Sequence, residues 1–78
     1  MNIPDESDLR FAICIRNDEY SASLELRKVY PVLPDTEAVN HHMLRVIDES
    51  GEDYLYPDNF FMLIELPEAV RRAVMRAA

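Results

Sequence analysis

Two histidines and one cysteine are the side chains that could bind a metal ion or attack a substrate. The histidines, His41 and His42, are neighbours, and the only cysteine is Cys14. Adjacent side chains point in different directions on a helix or a strand, so the two histidines are poorly placed to share one ion. A zinc site needs further Cys, His or carboxylate ligands that converge on it. We therefore expect no metal site, and histidines that face solvent or lie in a loop.

Cys14 could be a nucleophile only as a thiolate, which requires an electropositive and partly exposed setting. The alternating segment "LRFAICIR" places it in the middle of a strand between Ile13 and Ile15. A cysteine in that position is expected to be a small buried core residue. The chain has a single glycine, which excludes a glycine-rich phosphate loop. The sequence thus predicts no catalytic residues, no cofactor and no enzymatic activity.

Four acidic residues, Asp48, Glu49, Glu52 and Asp53, surround that glycine. Their spacing lacks the alternating oxygen ligands and the terminal glutamate of an EF-hand loop. The exposed tip of a hairpin also cannot raise the pKa of a catalytic carboxyl. The interpretation we favour is a set of solvated turn acids. The alternative is an acidic patch that a basic partner recognises.

Tyrosine and phenylalanine side chains are concentrated just after these acids. If Leu55 points inward, Tyr54 and Tyr56 point outward on one face of their strand. Tyrosine is enriched in protein interfaces because it combines a large apolar area with a polar group. The residues of a candidate binding surface are Tyr54, Tyr56, Pro57, Phe60 and Phe61. The alternative is that these rings are buried at the ends of a barrel and only their hydroxyl groups meet water.

The charge balance of the chain opposes several classes of function. Its 78 residues include 15 acids and 8 bases, which gives a formal net charge of −7. Nucleic acids and anionic membranes bind proteins mainly through cationic side chains. Because this chain has an excess of acids, we expect it to bind neither directly. The opening "MNIPDESDLR" lacks the features of a secretory signal. A lone thiol fits a reducing compartment, and the predicted location is the cytoplasm.

Alternating and continuous apolar runs predict five strands. These runs are "LRFAICIR", "SLELRKVYPVL", "HMLRVID", "DYLY" and "FFMLIEL". Gly51 indicates a tight turn between the third and fourth strands, since glycine accepts a positive φ freely. "PDNF" predicts a one-turn interruption before the fifth strand. Pro31 and Pro34 lack an N–H donor, so the second strand is expected to end there or to lie at a sheet edge.

The closing segment "PEAVRRAVMRAA" predicts a helix with a stripe of small apolar side chains. Pro67 suits the first helical position, where no N–H is needed. A helix of about 11 residues is not stable alone in water, so its stripe needs a surface to cover. The fifth strand places Phe61 and Leu63 on the face opposite its other apolar residues. We expect the helix, or a partner, to cover those two side chains.

The segment "YLYPDNFFMLIEL" resembles the end of SH3 domains, where a proline, a small polar residue, an asparagine and an aromatic residue precede the last strand. The matching positions are Pro57, Asp58, Asn59 and Phe60. The resemblance implies an SH3-like five-stranded small barrel, and a groove in which the proline and the aromatic residue help to bind proline-rich peptides. More broadly, the chain resembles small acidic bacterial proteins of unassigned function, which implies a barrel and no particular activity.

The expected organisation has three parts. Residues 1–8 form a flexible N-terminal tail, residues 9–66 the SH3-like barrel, and residues 67–78 a helix packed on the barrel or on a partner. The predicted function is a non-catalytic protein–protein interaction module, with a protein, a peptide or a second copy of the chain as partner. Two alternatives stay open: a structural homodimer that uses the helix and the last strand, and an acidic mimic that occupies a basic nucleic-acid-binding partner.

Overall fold

A computed structural model describes residues 9–77, and the expected tail over residues 1–8 lies outside them. The prediction of a mainly β chain with five strands and a C-terminal helix is confirmed. The elements in chain order are β1 (Arg10–Cys14), β2 (Val29–Leu33), α1 (Thr36–Asn40), β3 (Met43–Ile47), β4 (Asp53–Pro57), a 3₁₀ turn (Asp58–Phe60), β5 (Phe61–Ile64) and α2 (Glu68–Ala77).

The strands form one antiparallel sheet in the order β4-β3-β2-β1-β5. β4 and β5 are therefore its two edges, although only the 3₁₀ turn separates them along the chain. The strand pairs found within residues 9–77 do not join β4 to β5, so closure of the sheet into a barrel stays a prediction.

The second strand is shorter than the sequence predicts, because residues 15–28 form a loop. Two residues of this loop, Glu19 and Arg27, adopt positive φ angles of 69° and 66°, which a strand does not allow. The expectation that the strand ends at these prolines is confirmed at Pro34, since β2 ends at Leu33, and it is wrong at Pro31, which is inside this central strand. The missing N–H of Pro31 costs no hydrogen bond to β3, because the β2–β3 pairing begins only at Val32.

The main core lies on one face of the sheet and under the 15–28 loop. Its buried members are Ala12, Cys14, Leu24, Tyr30, Val32, Leu44, Val46, Tyr56, Phe60 and Phe61. Burial of Cys14 agrees with its predicted role as a small core residue. The opposite face of β1 is covered as well, because Phe11 is only 1% exposed. Burying one such side chain stabilises a fold by about 1.5–3 kcal/mol.

Helix α2 lies over that opposite face. The Arg71 guanidinium is centred 5.1 Å from the Phe11 ring, and Val74 borders a cleft together with Val29 and Pro31. The expectation that the helix, or a partner, covers Phe61 and Leu63 is wrong for Phe61, which is buried in the core. Cover of the exposed Leu63 by a partner stays a prediction. Phe61 pairs with Cys14 across the sheet, and it therefore shares the core side of that residue.

Candidate functional site

A charged loop and an acidic hairpin segment that are distant in the sequence meet at one end of the sheet. They are the β1–β2 loop, residues 15–28, and the hairpin segment, residues 48–54, and we call their combined exterior the loop–hairpin surface. The Glu49 N–H donates to the Ser23 carbonyl oxygen at 3.0 Å. The Tyr56 and Ser23 hydroxyl oxygens are hydrogen-bonded at 2.9 Å. These bonds fix the loop against the hairpin.

Tyr20 forms the exposed edge of a buried aromatic cluster. Its ring meets the Tyr56 ring edge-on, with centroids 5.1 Å apart, and the Phe60 ring at 5.9 Å. The Arg16 guanidinium lies 5.4 Å from the centre of the Phe60 ring and pairs with Asp18 at 2.6 Å. Tyr20 is 41% exposed, so one side of it is free to contact a partner. Sequence analysis missed this residue, although "NDEYSA" combines acids with an aromatic residue.

The expected binding residues divide into buried and exposed members. Tyr56, Phe60 and Phe61 are 3%, 7% and 6% exposed, whereas Tyr54 is 51% exposed and Pro57 is half-buried. The expectation that Tyr56 points outward is therefore wrong.

The reason lies in the register of the hairpin. Tyr54 and Tyr56 pair with Val46 and Leu44, and the face that these four residues share is the core side. Leu55 takes the opposite face and is 42% exposed. Tyr54 is the one aromatic residue of the predicted set that presents a large area to solvent.

Asp48 is a buried hydrogen-bond acceptor, which contradicts its expected role as a solvated acid. It is 6% exposed. Its Oδ2 accepts from the Tyr56 hydroxyl at 2.5 Å, and its Oδ1 accepts from the Ser50 N–H at 2.9 Å and from Ser50 Oγ at 2.5 Å. Burial alone would raise the pKa of this carboxyl, but the hydrogen bonds from Ser50 and Tyr56 together hold it below its ordinary value.

The Glu49 side chain links the hairpin to the C-terminal end of the loop and to β2. Its carboxylate lies 2.6 Å from the Lys28 ammonium and accepts from the Tyr30 hydroxyl at 2.5 Å. The bonds from Lys28 and Tyr30 lower the pKa of Glu49. Burial, and then the bond to Glu49, raise the pKa of Tyr30. The same tyrosine oxygen accepts from the Glu25 N–H at 2.7 Å.

The remaining hairpin acids, Glu52 and Asp53, are both exposed. Asp53 pairs with Arg45 at 2.9 Å. Glu52 has no ion pair among residues 9–77, and the same holds for Glu19 and Glu25 of the loop. The acidic patch of the folded protein therefore includes loop residues, and Asp48 is not part of it.

The residues considered for catalysis or metal binding do not come together. Cys14 is fully buried, and burial raises the pKa of its thiol. His41 and His42 are exposed beside α1. In the part of the chain that the structure describes, no three His, Cys, Asp or Glu side chains are grouped to hold a metal ion.

Between Leu9 and Ala77, neither helix is long and apolar enough to cross a membrane. Comparison of the chain with family models, with curated proteins and with solved structures gave no match.

Proposed function

We propose that this protein is a non-catalytic protein-binding module, and that its loop–hairpin surface binds a cationic segment of another protein. The observation that carries the proposal is the pair of exposed tyrosines, Tyr20 on the loop and Tyr54 on the acidic hairpin segment, which hydrogen bonds hold together. A tyrosine ring can pack against apolar groups and can bind a cationic group over its face.

Charge supports a cationic partner. The loop and the hairpin segment together carry seven acids and three bases. Two of these bases, Arg16 and Lys28, pair with acids of the surface. Among residues 9–77, its exposed charged side chains without an ion pair are three glutamates, Glu19, Glu25 and Glu52, and one base, Arg27. Complementary charge speeds encounter and selects among partners.

The resemblance of Tyr54–Leu66 to the end of SH3 domains adds a second reason. SH3 domains bind preformed proline-rich peptides in an aromatic groove. Pro57 lies between the exposed Tyr54 and the buried Phe60 along this segment. An extended peptide rich in Arg and Pro is therefore the ligand that we propose.

The buried, unpaired Cys14 favours a cytoplasmic location as part of this proposal. A reducing compartment keeps such a thiol free, whereas secreted domains of this size commonly depend on disulfides.

The test is titration of the isotope-labelled protein with a short Arg- and Pro-rich peptide, followed by NMR. The expected result is a set of shift changes centred on Tyr20 and Tyr54. Tyr20→Ala and Tyr54→Ala should each weaken binding, by roughly 1 kcal/mol or more if the rings are anchor residues. The same peptide with Glu in place of Arg should not bind.

Leu55→Ala is the matched control, since Leu55 is similarly exposed on the opposite face of β4. It should leave the affinity unchanged. Binding that is insensitive to both tyrosine substitutions, or shift changes confined to other residues, would contradict the proposal.

A further inference from the structure

Among residues 9–77, no hydrogen-bond partner faces the polar backbone groups on the outer edge of β5. The Ile15 N–H donates to the Phe60 carbonyl oxygen at 2.8 Å, which starts the β1–β5 ladder with a hydrogen-bonded pair. Such pairs alternate in an antiparallel ladder, so Met62 and Ile64 direct their N–H and C=O groups toward β1. Leu63 directs both groups away from it.

The β1–β2 ladder, on the other side of β1, shows the same alternation of hydrogen-bonded and non-hydrogen-bonded pairs. The Cys14 N–H donates to the Lys28 carbonyl oxygen at 2.9 Å, so Ala12 bonds toward β2. Ala12 is opposite Leu63, and that pair is therefore not hydrogen-bonded. Within residues 9–77, the backbone of Leu63 has no other hydrogen-bond partner.

β5 also lacks the features that usually protect an edge strand. Natural edges carry lysine, proline, inward charges or bulges. The Phe61–Ile64 strand has none of these residues, and Met62 and Leu63 are 60% and 54% exposed on its two faces. The β4 edge differs, because it begins with Asp53 and ends with Pro57.

We propose that a second copy of this chain adds its β5 to this edge, antiparallel, with the two-fold axis at Leu63. Each Leu63 N–H then donates to the Leu63 carbonyl of the other copy, and Met62 lies opposite Ile64 of the other copy. A two-fold contact must be self-complementary, and here all the pairs within Phe61–Ile64 are apolar.

Charge is compatible with this register although each chain carries a net charge of −7. The apposed strands are uncharged, and Glu65, the first acid beyond them, falls opposite Phe61 of the second copy and not opposite its own equivalent. The contact is short, and its area falls below the roughly 1,200 Å² of a stable interface. The dimer is therefore weak and depends on concentration.

The test combines light scattering with amide hydrogen exchange, both across a dilution series of the whole protein. We expect the mass to rise from monomer to dimer with concentration, and the Leu63 amide to become protected in parallel. The Met62 and Ile64 amides should be protected at every concentration, since they bond to β1. A protein that stays monomeric at millimolar concentration, with unchanged exchange at Leu63, would overturn the proposal.

Leu63→Lys should weaken the dimer at least about tenfold, because the two-fold axis places the new like charges opposite each other. Leu55→Lys is the matched control at the β4 edge, where Leu55 also directs its backbone outward. It should leave the dimer intact. If both variants lost dimer affinity equally, or if only Leu55→Lys lost it, the dimer contact would not be at the β5 edge. Far-UV circular dichroism checks that both variants are folded.

Discussion

Asp48 shows how one residue can differ from its appearance in the sequence. In "IDESGED" it is one acid among several, yet its carboxylate is buried and accepts three hydrogen bonds, one from Tyr56 and two from Ser50. The Tyr56 hydroxyl also reaches Ser23 of the loop. A charged group in this position stabilises the fold only as long as these donors stay in place.

Replacement of Tyr56 by phenylalanine tests this network. The change removes the hydroxyl donor and leaves Asp48 Oδ2 buried without its partner, so the free energy of unfolding should fall by about 1–3 kcal/mol. Urea denaturation measures the difference. Tyr54→Phe, at an exposed position on the same face, should change stability by only a few tenths of a kcal/mol. Equal effects of the two changes would argue against the network.

The stability of the protein should depend on pH on the acid side. The pKa values of Asp35, Asp48 and Glu49 are lower in the folded state than the ordinary values of 3.8 for aspartate and 4.5 for glutamate. Their contribution is therefore complete above the ordinary values, and it is lost as the pH falls through the lower folded values. Urea unfolding from about pH 6 to about pH 2 should show this loss.

Asp48→Asn is the control for this pH dependence. The variant should be less stable at neutral pH and should lose stability less steeply in acid, since one of the three carboxyls with a lowered pKa no longer titrates. An unchanged slope would assign the acid sensitivity to other groups.

Among the elements, helix α2 illustrates why an apolar stripe does not identify its own packing side. Val70 is 42% exposed, and Ala69 and Ala73 are exposed as well. Arg71, Val74 and Met75 are the half-buried residues. A guanidinium can pack against the face of an aromatic ring. The Arg71 guanidinium lies over the Phe11 ring in this way, so the packing side of the helix includes a charged residue.

Two aspartate substitutions on α2 test which side of the helix packs on the sheet. Val74→Asp places a charge against the cleft beside Val29 and Pro31 and should destabilise the fold by about 1–3 kcal/mol. Ala73→Asp, the adjacent exposed position, should cost no more than its lower helix propensity, about 0.7 kcal/mol. Thermal unfolding followed by circular dichroism compares the two. A larger effect at Ala73 would mean that the helix packs through its alanine side.

The β3–β4 hairpin depends on Gly51, which has a φ of +84°. A Cβ at this position would meet no atom within 4 Å, so only backbone strain opposes substitution. Gly51→Ala should cost about 1 kcal/mol of unfolding free energy. Gly51→Asn should cost less, because asparagine tolerates a positive φ. Urea unfolding checks the order of the two variants, and an equal cost would point to a cause other than backbone strain.

At the scale of the whole molecule, two proposed contacts should respond to salt in opposite directions. The complex with a cationic peptide gains from attraction and should weaken as salt rises from about 0.05 M to about 0.5 M. The β5–β5 dimer brings together two chains of net charge −7 and should strengthen over the same range. Parallel titrations at both salt concentrations measure the two dissociation constants. If salt changed both dissociation constants in the same direction, the charges assigned to one of the two contacts would be wrong.

The sequence by itself determined the five strands and the C-terminal helix of this protein, although not the start of β2 or the short helix α1. Apolar alternation, the glycine turn and "PDNF" predicted the five strands and the break before the last one, because these signals act over a few neighbouring residues. Pro67 and the apolar spacing after it predicted α2 for the same reason.

Only the tertiary structure decided which faces of these elements are buried. In "YLY" both faces of the strand are apolar, so alternation alone cannot say whether Leu55 or Tyr56 lies inside. Pairing of Tyr56 with Leu44 and its hydroxyl bond to Asp48 settle the question. The contact between Glu49 and Ser23 likewise creates the acidic surface from segments that local signals cannot relate. Side-chain environment depends on contacts between residues distant in the chain, and these form only when the sheet does.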